Sequence, residues 1–178
     1  MDAEGGELRE VLVKSYLPLL GRELLALAWM PIGSDTPDVV ARLRSPVFAF
    51  SGGALLAFKD APELFLTWGQ HHPYRLEATT ETVAWSPFSL DRVHASRESP
   101  WDQVEGGRLL AVELFTGPGA CGGVVGSRHR LTSPMGNTFV WIATGYDDGV
   151  REGDDLWVSI GVEPPNLDAL APVMTLEA

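Results

Sequence analysis

The feature that most constrains this chain is how often its apolar runs are broken. Nineteen glycines and thirteen prolines punctuate 178 residues, and the longest apolar stretch, LLALAWMPI from Leu24 to Ile32, is only nine residues. Runs of that length bounded by turn-forming residues suit strands better than helices. They fall far short of the roughly 20 residues that a membrane-spanning helix needs. Hydrophobic residues make up 45% and charged residues 21%, enough for the chain to bury a core instead of remaining disordered. The expected fold is therefore α+β, mainly antiparallel sheet with a few short helices, in a single compact domain spanning 1–178.

Leu8, Val11, Leu12, Tyr16 and Leu19 recur at helical spacing, and Pro18 and Gly21 mark the end of that helix. LLALAWM then reads as a strand, and DTPDVVARLR as a short helix with Pro37 at its first position. SPVFAFSGGALLAF reads as two strands joined by a Gly52-Gly53 hairpin turn, and LFLTWG as another strand. In the second half, SPWDQVEGG reads as a helix capped by Ser99 with Asp102 at the capping-box position. The strand RLLAVELF follows, then two strands around Gly136-Asn137, then DLWVSIG.

The two halves read as repeats. GRELLAL at Gly21 matches GRLLAVEL at Gly107, Gly52-Gly53 matches Gly136-Asn137, and ELFLTWG at Glu63 matches DLWVSIG at Asp155. These offsets predict an internal duplication of helix-plus-meander units, 7–70 and 99–162, joined by a linker at 71–98 with one or two strands of its own. Ser-Pro before an apolar residue at Ser45, Ser86, Ser99 and Ser133 reads as punctuation at element boundaries.

A net charge of −11 opposes binding to nucleic acid or to an anionic membrane, both of which demand a cationic footprint. From Tyr146 to Ala178 eight acidic residues face one arginine, a net of −7 that leaves −4 for the first 145 residues. The polar N-terminus lacks the features of a secretory leader, and the single Cys121 cannot form an intrachain disulfide. These features, with eleven Arg against two Lys, predict a bacterial-type cytoplasmic protein.

No motif names a reaction. GPGACGGVVG, Gly117 to Gly126, contains G-x-G-x-x-G, but no helical period follows it and no acidic residue stands about 20 positions on. Cys121 with His129 as base would sit in that same glycine loop. His71 and His72 are adjacent on an extended segment and so point apart, which suits a shared metal ion poorly. The acidic stretch Asp147-Asp148-Gly149-Val150-Arg151-Glu152-Gly153-Asp154-Asp155 lacks the alternating oxygens of a calcium loop. It reads instead as a long turn between two antiparallel strands. Of the six tryptophans, most fall in expected strands, where core packing is their main role.

The leading expectation is a non-enzymatic binding protein of immunity (toxin-neutralising) or regulatory type. Asp147, Asp148, Glu152, Asp154 and Asp155 would engage a basic protein partner, with no metal and no cofactor. The alternative is a small-molecule-binding protein or enzyme whose pocket lies between the two halves, lined by His71, His72, His129 and Trp68. A third reading is a structural subunit that dimerises through a sheet edge.

Overall fold

The computed structural model describes residues 3–68, 75–79, 91–118, 120, 122–144, 155–163 and 170–178. It contains helices α1 (Ala3–Tyr16) and α2 (Thr36–Arg42). The strands are β1 (Leu24–Pro31), β2 (Val47–Phe58), β3 (Leu64–Trp68), β4 (Leu76–Thr79), β5 (Val93–His94), β6 (Leu109–Thr116), β7 (Gly126–Ser133), β8 (Gly136–Thr144), β9 (Asp155–Ile160) and β10 (Ala171–Glu177). Every ladder is antiparallel, so the expected mainly antiparallel sheet with short helices is what forms. Among the described residues no helix is long and apolar enough to cross a membrane.

The strands run in the order β10-β6-β7-β8-β9-β2-β1-β5, with β3 on β2 and β4 on β3. The path also returns on itself. Glu23 and Arg108, just ahead of β1 and β6, form a bridge. Backbone bonds from Gly21 N–H to Leu109 O (2.8 Å), Leu109 N–H to Arg22 O (3.0 Å) and Leu24 N–H to Gly107 O (2.7 Å) hold the two leads together. The leads of β1 and β6 thus touch, while beyond them the free edge of β6 is covered by β10 and that of β1 by β5, so neither long strand is left as a bare edge.

β2 departs from expectation. Gly52 and Gly53 do not turn the chain but lie inside one twelve-residue strand. Residues 47–51 pair with β9, whereas 52–58 pair with β1 and 53–56 also with β3. The glycines mark the transfer between sheets, where neighbouring backbone comes too close for a side chain. A Cβ at Gly52 would collide with the Met30 carbonyl, and one at Gly53 with the Phe65 ring. The β7–β8 hairpin forms as expected, but its turn is Pro134-Met135 and Gly136-Asn137 already belong to β8.

α1 buries Leu12 and Tyr16, one turn apart, but leaves Val11 46% exposed, so its apolar face is narrower than the spacing predicts. α2 has Pro37 in its first turn and buries Val39. The segment after Ser99 is a 3-10 turn, Trp101–Val104, without a side-chain cap. Gly106, at φ +76, ends it too soon for an α-helical ladder. What fixes that turn is Trp101 itself, fully buried edge-on against Trp29 (4.9 Å between centroids) and Phe48 (5.9 Å). Among the described residues the indole N–H groups of Trp29 and Trp101 have no hydrogen-bond partner, a cost that the edge-on ring contacts offset in part. The main core joins these rings to Leu27, Phe50, Leu56, Val112, Val140 and Ile142. A smaller cluster of Ala28, Met30, Leu55 and Phe65 lies apart from it.

Candidate functional site

Strands β8 and β9 pair from Val140↔Ile160 to Thr144↔Leu156, as the sequence predicts. The acidic stretch therefore links two adjacent strand ends. Asp147, Asp148, Glu152 and Asp154 lie outside the described residues. Asp155, the first residue of β9, accepts a 2.6 Å hydrogen bond from the Ser51 hydroxyl of β2. Ser51 N–H in turn donates to Asp35 (3.3 Å), so two carboxylates flank one serine at this end of the sheet.

His129 does not face a cleft. Ser127, His129 and Leu131 alternate along β7 and all point into the core, where His129 is fully buried. Its Nδ1 lies 3.0 Å from Val140 O, which can only accept, so Nδ1 carries the proton. Nε2 is then the acceptor, and the Tyr16 hydroxyl donates to it at 2.8 Å. Tyr16 Oη is also 3.1 Å from Ser127 Oγ; with its own proton committed to His129, it accepts the serine's. Burial lowers the His129 pKa to about 4, opposed by its bond to Val140. Burial raises the Tyr16 phenol above its ordinary value, opposed by Ser127. The result is a neutral relay that ties the end of α1 to β7.

Trp68, at the end of β3, is half-buried and packs against both core clusters. His71, His72 and Cys121 lie outside the described residues, so the expected grouping of His71 and His72 with His129 and Trp68 has only the last two on view. Among the described residues no three His, Cys, Asp or Glu side chains are grouped to hold a metal ion.

Two arrangements have no counterpart in the sequence reading. On β7, Arg128 is ion-paired with Glu113 of β6 and sits over Phe139 (4.7 Å), Trp141 (5.2 Å) and Phe115 (5.9 Å). This is a half-buried cation–π cluster. The second is a cleft of about 430 Å³ at the junction of the β1 and β6 leads, lined by Gly21, Arg22, Glu23, Lys59, Asp60 and Arg108. Gly21 and Arg108 on its walls are 87 positions apart, and the one signal in the sequence was the Gly-Arg pair repeated at Gly21 and Gly107. Further clefts among the described residues lie against α1 and beside Pro100.

No protein-family model, curated protein sequence or solved structure matches this chain.

Proposed function

We propose that this chain is a non-enzymatic binding protein whose acidic β8–β9 connection docks against a basic protein, as an immunity or regulatory protein would. The observation that carries this reading is the β8–β9 ladder itself. It makes the ten residues from Gly145 to Asp154, with four acids and one arginine, a single link between neighbouring strands. A concentrated field of one sign steers an oppositely charged partner and sets its orientation more than it adds raw affinity. Immobilised protein should retain a basic partner at low salt and release it at high salt, because exposed charges are screened. The Asp147→Lys, Asp148→Lys, Glu152→Lys variant should lose that partner at low salt while melting normally. Retention by the variant, or binding insensitive to salt, would overturn the docking reading.

We also propose that the chain arose by internal duplication. Support comes from the pairing pattern: β1-β2-β3-β4 and β6-β7-β8-β9 are each consecutive antiparallel meanders. Their leading strands, each entered through Gly-Arg, meet at the Glu23–Arg108 bridge. On this pairing β3 corresponds to β8, so of the three sequence matches only the Gly21–Gly107 one marks equivalent positions.

A further inference from the structure

We propose that the cleft at the junction of the two meanders binds a small phosphomonoester that carries hydroxyl groups. The inference is independent of the acidic docking reading. The register of β6 to β9 puts Leu109 at one end of the sheet and Thr144 and Asp155 at the other.

The cleft draws on three separate segments: Gly21, Arg22 and Glu23 before β1, Lys59 and Asp60 after β2, and Arg108 before β6. Its volume, about 430 Å³, lies within the range of small-ligand sites. In a chain of net charge −11, anions are repelled overall, so an anion site has to be built locally. Three of the thirteen basic residues converge here. Glu23 and Asp60 line the same cleft, yet among the described residues none of the three cations lies in an ion pair.

The walls are held by backbone bonds and by one bond from the Arg108 side chain. Lys59 N–H donates to Glu23 O (2.9 Å), fixing the β2 exit on the β1 lead. One Arg108 Nη donates to Gly21 O (3.1 Å), which orients the guanidinium and leaves its other N–H groups for a ligand. Two lining residues take left-handed backbone conformations: Gly21, at φ +74, and Asp60, at φ +55. Asp60 is the one non-glycine residue with positive φ among the described residues, a conformation that Asp tolerates in the turn where β2 ends.

The charge pattern selects the ligand class. A guanidinium fork and an ammonium suit a phosphate dianion. Two carboxylates beside them would repel a simple anion, but they accept hydrogen bonds from hydroxyls on the same ligand. A polyhydroxylated phosphomonoester satisfies both halves of the lining.

The test uses the full chain with glycerol 3-phosphate, inorganic phosphate and glycerol as probes, followed by calorimetry and by amide chemical shifts. Saturable binding of glycerol 3-phosphate is expected, tighter than inorganic phosphate, with shifts centred on Gly21, Lys59 and Arg108. Arg22→Gln and Lys59→Gln should each weaken it about tenfold, the effect of losing one charge-assisted bond. Arg130→Gln, on β7, should leave it unchanged. Arg108→Gln also removes the bond to Gly21, so the Arg22 and Lys59 variants keep the test valid if that chain fails to fold. The proposal is overturned by the absence of saturable binding. It is equally overturned by glycerol binding as well as the phosphomonoester, or by full affinity in the Arg22→Gln, Lys59→Gln double variant.

Discussion

A buried tyrosine and histidine that are both neutral set limits on the solution conditions this fold tolerates. His129 keeps a pKa of about 4 when folded, against 6.5 as its ordinary value. The unfolded chain therefore takes up a proton first as pH falls. That contribution to stability is complete above pH 6.5 and is lost on acidification toward pH 4, by about 3 kcal/mol at most. Tyr16, raised above 10, works at the other end. Above pH 10 the unfolded chain ionises first, and stability falls again. Urea unfolding across pH should thus show a plateau from about 6.5 to about 10, and a His129→Leu chain should lose the acid-side slope. Tyr16→Phe strands the His129 acceptor in the core and should cost about 1–3 kcal/mol at neutral pH. In the Tyr16→Phe, His129→Leu double variant the costs should fall short of the sum, because both act on one network. Additive costs would mean that the relay does not couple α1 to β7. None of this was legible beforehand: His129 was readable as an imidazole, but its depth depends on a tyrosine 113 residues away.

At the level of elements, local chemistry placed most boundaries and one mistake is instructive. Two adjacent glycines between apolar runs are turn chemistry by themselves, yet in β2 they serve close approach. Gly52→Ala should destabilise the chain by about 2 kcal/mol or more, since its Cβ meets the backbone of Met30 and Pro31. Gly6→Ala in α1, where a Cβ meets nothing within 4 Å, should stabilise by about 0.5–1 kcal/mol. Equal effects in thermal melts of the two variants would refute this assignment of the glycines. β10 escaped the sequence reading for a different reason. Ala171 through Thr175 and Glu177 are all exposed, so no alternation of apolar and polar residues marks the strand.

For the molecule as a whole, the cover of the sheet's edges is what governs association. β10 is an outlying strand that covers the β6 edge opposite β7, from Ala171↔Thr116 to Glu177↔Ala111, and buries little. A chain ending at Leu170 should still melt cooperatively. It should also uncover the β6 edge and self-associate, as an unprotected edge does, which size-exclusion chromatography would detect. A monomeric truncated chain would show that β6 needs no cover.

Determined by the residues alone were the short strands, the antiparallel class, the helix at Pro37, the β8–β9 pairing and the acidic imbalance of the C-terminal part. Each rests on turn chemistry, period or charge within a few neighbouring positions. Decided only by tertiary structure were the role of Gly52-Gly53, the burial of His129, the Arg128 cluster and the cleft between Arg22, Lys59 and Arg108. Burial and convergence depend on which distant segments pair, and that pairing is set by packing the whole core at once, not by any local run of residues.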